Sequence, residues 1–199
     1  MTMRVVVDNG PGQKRRAAAG RSLKSARPIV LRAAVAADAP ALHALIAAHL
    51  EEGRLLPRTL DELMIHATRF VVAVVGEQIV GCAELAPLSK EVAEVRSLVV
   101  SREARTLGAG ARMVEELAYR ARRDGYIRLT AFAHDPAFFV HRGFSIVPHT
   151  WVPEKIALDC NGCPLFRNCG QYAVVLDLDR ASAQALINAA ARGRVRSTV

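Results

Sequence analysis

Arg105-Thr106-Leu107-Gly108-Ala109-Gly110-Ala111 decides the fold because of what stands on either side of it. Upstream, Val92 to Val100 reads as an apolar strand. Downstream, Met113, Val114, Leu117 and Ala121 recur at helical spacing, on a helix that Arg120, Arg122 and Arg123 finish and Gly125 stops. A turn entering a helix offers unpaired backbone N–H groups at the positive end of the dipole, and glycines let an anion approach without a Cβ in the way. Arg105 and Arg112 are placed to add charge-assisted contacts to phosphate oxygens. The segment therefore reads as a cradle for a diphosphate. A Gly-x-Gly turn by itself is as often an ordinary loop; the strand before it and the helix after it give it meaning. A dinucleotide-binding parallel fold is excluded, since the strands that precede the turn are hairpin-linked.

Working outward, Ile29 to Arg32 is a short strand. Asp38-Ala39-Pro40 then opens a helix bearing Leu42, Leu45, Ile46 and Leu50, which Gly53 ends. After the loop Leu55-Leu56-Pro57-Arg58, Thr59 and Glu62 make a capping box for a second helix with Leu60, Leu63, Met64 and Ala67. Phe70 to Val75 and Ile79 to Leu85 flank Gly76-Glu77-Gln78 as an antiparallel hairpin. Beyond the diphosphate turn and its helix come a strand at Ile127 to Ala133, a short helix at Pro136 to His141 and a strand at Phe144 to Val147. An irregular Cys-rich stretch, a closing strand at Tyr172 to Leu178 and a terminal helix at Ala181 to Ala191 complete the order. The expected architecture is α/β of the α+β type: a mixed, mostly antiparallel sheet of six or seven strands flanked by helices.

The chain has 199 residues, which fits one domain with tails: a basic tail over 1–27, a folded domain over 28–179, and a helix with a second basic tail over 180–199. The hydrophobic fraction is 51% with no apolar run long enough for a membrane span, so no membrane association is expected. The net charge of +8 favours anionic partners: nucleic acid, an acidic membrane surface, or a small polyanion such as a CoA ester. Much of the excess lies in the tails: Arg4, Lys14, Arg15, Arg16, Arg21, Lys24 and Arg27 against Asp8 at one end, Arg192, Arg194 and Arg196 at the other. The first tail reads as a disordered cytoplasmic extension; an organelle transit peptide has similar chemistry, but Pro11 and its neighbouring glycines spoil an amphipathic helix. No specific nucleic acid is expected, and the oligomeric state is left open, a homodimer included.

The spacing Arg105-x-x-Gly108-x-Gly110 resembles the phosphate signature of the GNAT superfamily of acetyltransferases. More closely, Ile29 to Leu178 resembles the acetyltransferase domain of the amino-acid N-acetyltransferases that make N-acetylglutamate. Four segments carry this likeness: Gly53 with Leu55 to Thr59; Glu94 to Val100; Pro136-Ala137-Phe138-Phe139 running to Gly143-Phe144; and Val152-Pro153-Glu154-Lys155-Ile156 continuing to the cysteines. The resemblance implies acetyl-CoA as co-substrate, held by Arg105, Thr106, Leu107, Gly108, Ala109, Gly110 and Ala111, with backbone amides of Leu98, Val99 and Val100 polarising the thioester. It implies direct transfer to the α-amine of L-glutamate, the first step of arginine biosynthesis. Glu94 matches the general base, acting through water; the alternative is a strand carboxylate paired with Arg96. Arg58 matches a substrate-loop arginine, and Arg96 and Arg142 are further cations for the acceptor's carboxylates.

Departures at two kinds of position, and a cysteine cluster, bear on chemistry. Phe139 stands where a tyrosine often protonates the leaving thiolate, and Tyr172, His134 and His141 are the substitutes to consider. Ala133, Thr106 and the pair Gly170-Gln171 replace residues usual in the family, which leaves glutamine, another amino acid, a peptide or a polyamine as alternative acceptors. Cys160, Cys163 and Cys169 follow C-x2-C-x5-C, so a structural zinc site completed by His149 or Asp159, an iron–sulfur centre and a reduced thiol cluster are the readings, with Cys82 far away in sequence.

Overall fold

The computed structural model describes residues 28–50 and 55–178. In chain order these form β1 (Val30–Ala33), α1 (Ala39–Ala47), α2 (Leu60–Ile65), β2 (Phe70–Val75), β3 (Gln78–Pro87), β4 (Val92–Val100), α3 (Ala109–Arg123), β5 (Arg128–Ala133), α4 (Ala137–Val140), β6 (Ser145–Val147), α5 (Pro153–Lys155) and β7 (Tyr172–Asp177). The terminal helix expected at Ala181 to Ala191, both tails and the helix stop at Gly53 lie outside the described residues.

The seven strands make one sheet in the order β1-β2-β3-β4-β5-β7-β6. Only β4 and β5 run parallel; every other neighbouring pair is antiparallel. Two parallel neighbours need a long crossover, and α3 supplies it. The β2–β3 hairpin turns where Gly76 takes φ 64, a left-handed conformation cheap only for glycine. Alternation along β2 divides the core between two faces. Val71 and Ala73 pack with Met113, Val114 and Leu117 of α3, while Phe70 and Val72 pack with Leu42 and Ile46 of α1 and Leu63 of α2.

Two local readings are corrected. Asp38 does stand at the N-cap of α1 with Pro40 in the first turn, but its side chain makes no cap bond; its carboxylate instead accepts from the Val35 amide at 2.9 Å and pairs with the Arg32 guanidinium at 2.6 Å. The stretch after Val152 is not irregular throughout, because Pro153 opens α5 and Ile156–Cys160 continue it as a wider π-type turn. Thr59 does cap α2, its hydroxyl accepting from the Glu62 amide at 3.2 Å.

Candidate active site

The site is built by a defect in the sheet. β4 pairs with β5 only from Val92 opposite Arg128 to Val95 opposite Ala131; from Arg96 onward the two strands part, and β5 continues along β7 instead. On its other edge β4 carries a bulge against β3. Val99 faces Cys82 and Arg96 faces Glu84, so Ser97 and Leu98 together oppose Ala83 alone. Ser97 sits at φ 49, the one left-handed non-glycine among the described residues. Such strain persists where surroundings enforce it, and here they do. The Arg58 guanidinium donates to Ser97 Oγ at 3.0 Å, and the Cys82 thiol lies 3.6 Å from the Ser97 carbonyl. Because strand amides alternate in direction, alternate N–H groups from Arg96 to Val100 have no β5 partner.

The gap between the parted strands opens into a cavity of about 860 Å³. Leu98, Val99 and Val100 form one wall, Phe132 to Asp135 with Phe138 and Phe139 the other, and Leu55 to Arg58 the rim. The start of α3 adjoins it: Val100 and Arg105 line the cavity, and a Cβ on Gly110 would stand 3.5 Å from the Phe138 ring and 3.6 Å from Val100. Gly108 takes φ 74 at the N-cap without a side-chain cap, and the first α3 backbone bond comes from Arg112 to the Gly108 carbonyl at 3.2 Å. The amides before Arg112 have no carbonyl one turn back to bind, which leaves an anion-accepting helix end. Arg112 itself turns away and donates to the Ile29 carbonyl at 2.9 Å.

At the inner end of the gap lies Glu94, buried on β4. Lys155 Nζ bonds both its oxygens, at 2.8 and 2.9 Å, and Arg96 Nε donates to Oε2. Arg96 and Lys155 also both hold Asp159, so two cations and two carboxylates form a closed square. Burial opposes the charge on Arg96, but Glu94, with Asp159 and Glu84, outweighs it and raises the guanidinium's pKa. Three hydrogen bonds on Glu94 leave its carboxylate room for one more donor, such as a water.

Arg58 is fixed by a second, deeper pair. Its Nη1 is 2.8 Å from Oε2 of Glu84, a carboxylate only 2% exposed, and Glu62 Oε1 is 2.8 Å from its Nε. The fully buried Glu84 and the cavity-lining Lys155 were not singled out as site residues by sequence reasoning, and Asp159 was considered only as a metal ligand. Their partners lie far along the chain, and only the i,i+4 spacing of Lys155 and Asp159 was available as a signal.

Of the expected substrate cations, Arg58 and Arg96 line the cavity and Arg142 does not. Arg142 stacks on the Phe138 ring at 3.8 Å and donates to the Phe138 carbonyl one turn back. Phe139 lines the cavity without a hydroxyl, and of the substitutes considered only His134 joins it; Tyr172 and His141 stand elsewhere. Of the expected turn only Arg105 is on the cavity wall; Thr106, Leu107, Gly108, Ala109, Gly110 and Ala111 are not, Ala109 being wholly buried.

The zinc expectation at Cys160, Cys163 and Cys169 is corrected. Among the described residues no three His, Cys, Asp or Glu side chains converge to hold a metal ion. Cys160 ends the π-type turn, Cys163 sits in the next turn with its amide on the Cys160 carbonyl at 3.0 Å, and Cys169 is exposed. His149, considered as a further ligand, has its Nε2 2.9 Å from the Gln171 carbonyl, and Asp159 is committed to two cations. Burial, with Cys169, Asp159 and Cys163 nearby, pushes the Cys160 thiol up against the pull of Lys155.

Known proteins share this construction. An uncharacterized N-acetyltransferase of Chlorobaculum tepidum is 30% identical over 142 residues, covering 71% of this chain and 92% of that protein. An amino-acid acetyltransferase of Neisseria meningitidis is 30% identical over 68% of this chain, but the match spans only 31% of that longer protein. The N-acetylglutamate synthase of Neisseria gonorrhoeae, solved with coenzyme A and N-acetyl-glutamate, superposes with a TM-score of 0.69 at 28% identity, over 76% of this chain and 35% of that one. Residues 39–144, from α1 through the turn into α3 and on past α4, match the acetyltransferase (GNAT) family, and this chain belongs to it.

Proposed function

We propose that this acetyl-CoA-dependent N-acetyltransferase acetylates the α-amine of L-glutamate in a ternary complex, forming N-acetylglutamate for arginine biosynthesis in the cytoplasm. The observation that carries the reading is Glu94, buried at the inner end of the gap between β4 and β5 with two cations on it. An α-ammonium of pKa about 8 to 10 must lose a proton before it attacks, at a cost of about 1.4 to 4 kcal/mol at pH 7. Glu94 takes that proton through a water. The freed nitrogen attacks the thioester carbonyl carbon, and amides of Leu98, Val99 and Val100 receive the developing oxyanion. The nitrogen gives up its second proton to water, the C–S bond breaks, and coenzyme A departs as thiolate, its diphosphate held by the turn from Arg105 to Ala111. No tyrosine hydroxyl is at Phe139 to protonate the thiolate, so it leaves unprotonated or takes its proton from water.

The amino-acid acetyltransferase and the N-acetylglutamate synthase of the two Neisseria species support glutamate as acceptor, although this chain spans only about a third of their length. Arg58 and Arg96 supply cations for its two carboxylates. One observation favours a second reading: Arg96 and Lys155 are already balanced by Glu94 and Asp159, and Arg58 by Glu84, which suits an acceptor with fewer negative charges, such as glutamine. The deciding experiment measures thiol release from acetyl-CoA across the twenty amino acids, for wild type and Glu94→Gln. Glutamate should give the highest kcat/KM, and the variant should lose about 100- to 10,000-fold in turnover while still binding acetyl-CoA. A glutamine maximum selects the second reading, and a flat panel rejects amino acids altogether.

A further inference from the structure

The square of charges beside Glu94 has one member unlike the others. Side-chain exposure rises from Glu94 at 4% to Lys155 at 14%, Arg96 at 28% and Asp159 at 37%. Asp159 is thus the outermost group and faces the cavity, while Glu94 is the innermost. Asp159 is held by Arg96 from β4, 63 residues away in sequence, as well as by Lys155 at 2.8 Å. Its backbone lies in the π-type turn Ile156–Cys160, closed by the Asn161 amide on the Ile156 carbonyl at 3.2 Å. Such wide turns hold their shape less firmly than regular helix and recur at functional sites.

We propose that Arg96 and Lys155 form a subsite for an acceptor carboxylate, and that Asp159 is its resident occupant, displaced into solvent when the acceptor binds. This deepens the acetyl-transfer reading above and rests on it for the identity of the acceptor. The argument is one of charge. Two cations facing Glu94 and Asp159 are balanced, so an acceptor carboxylate entering beside them would leave an uncompensated negative charge in a half-buried site. Exchange of Asp159 for the incoming carboxylate keeps the balance, and the exchanged group is the one nearest water, where its release costs least. Glu94 and Arg96 share a face of β4, two residues apart, so a carboxylate held by Arg96 carries its α-amine to the side of the strand where the base lies. Asp159 then acts as a competitor built into the chain, setting how much acceptor is needed to fill the site.

The test removes the competitor and, separately, the cation. Calorimetry with coenzyme A present measures binding of L-glutamate and of glutarate, a dicarboxylate with no amine, to wild type, Asp159→Asn, Lys155→Gln and Lys155→Arg; acetyl-CoA affinity reports that each variant is folded. Asp159→Asn should tighten both probes about three- to ten-fold and lower the acceptor KM equally. Lys155→Gln should weaken both about ten-fold, and Lys155→Arg should restore most of that loss. If Asp159→Asn leaves both affinities unchanged or weakens them, the proposal is overturned even where wild type acetylates glutamate. If wild type fails to acetylate glutamate yet glutarate binding tightens in Asp159→Asn, the subsite stands and the glutamate reading falls. Absence of binding by either probe to any of the four proteins also overturns the proposal.

Discussion

At the residue scale, Cys82 and Glu84 show what the bulge in β4 asks of its neighbours. Glu84 is buried beneath the strand and neutralised by Arg58, which in the same step fixes Ser97; losing either partner would strand a charge in the core. Cys82, opposite Val99, is wholly buried, and desolvation pushes its thiol up from 9.0 to about 12, with Glu84 adding to the rise and Arg58 opposing it. In the unfolded chain this thiol ionises near its ordinary value, so between pH 9 and about 12 the unfolded state sheds a proton that the folded state keeps. Stability is therefore fully present below pH 9 and falls above it, by about 1.4 kcal/mol per pH unit from this group. Urea unfolding of wild type and Cys82→Ala below and above pH 9 should show the variant's relative stability improving as pH rises. A difference independent of pH would mean the thiol is not held in its neutral form. Glu94, Arg58 and Arg96 were legible as candidates because their strand and loop carry a recognisable pattern. Glu84 and Lys155 were not, since a buried carboxylate on a strand and a lysine in a short helix mean nothing until the fold brings their partners to them, 26 and 61 residues away.

At the scale of elements, the turn into α3 separates two roles that glycine plays. Gly108 stands at φ 74 with nothing within 4 Å of where its Cβ would be, so its requirement is conformational alone. Gly110 has no unusual φ, but a Cβ there would meet Phe138 at 3.5 Å and Val100 at 3.6 Å, ordinary contact with no spare room beyond. Gly108→Ala should cost about 1 to 2 kcal/mol in a denaturant titration. Gly110→Ala should leave both stability and acetyl-CoA affinity near wild type, whereas Gly110→Leu, too large for the gap, should raise the acetyl-CoA Kd about ten-fold or more. If Gly110→Leu binds acetyl-CoA as wild type does, the ligand does not approach this turn. Periodicity made most elements legible: β2 and β4 run over the expected residues, and most others fall within one to three residues of expectation, but α1 ends at Ala47, well before the expected stop at Gly53, and α5 was not expected at all. The bulge at Ser97 and the parting of β4 from β5 were not legible from residue pattern, because each is a property of register between strands, and a strand's own alternation continues unbroken through it. Only the family likeness pointed to this stretch, through the amides of Leu98, Val99 and Val100.

At the scale of the whole molecule, every cavity-lining group among the described residues lies between 49 and 171. Residues 1–27, which carry much of the basic excess, lie outside the described residues. Domain entry begins at Ile29, which packs partly against the core and whose carbonyl accepts from Arg112 on α3. A chain starting at Pro28 keeps that contact and the whole of β1. Truncation tolerance follows from the burial and hydrogen bonding of the affected backbone, so removing residues 1–27 should leave kcat/KM within about two-fold of full length and the melting temperature unchanged. The charge removed does bear on long-range attraction of the polyanionic co-substrate. At physiological ionic strength the screening length is about 8 Å, so this loss should appear only at low salt, as a slower approach of acetyl-CoA that added salt abolishes. Steady-state kinetics at two ionic strengths, with a thermal melt of the same protein, make the measurement. If turnover survives at low salt and high salt alike, the tail serves neither catalysis nor steering. If turnover collapses together with the melt, residues before Pro28 belong to the fold. If turnover is retained while affinity for nucleic acid is lost, the tail's excess charge is a polyanion-binding device independent of acetyl transfer.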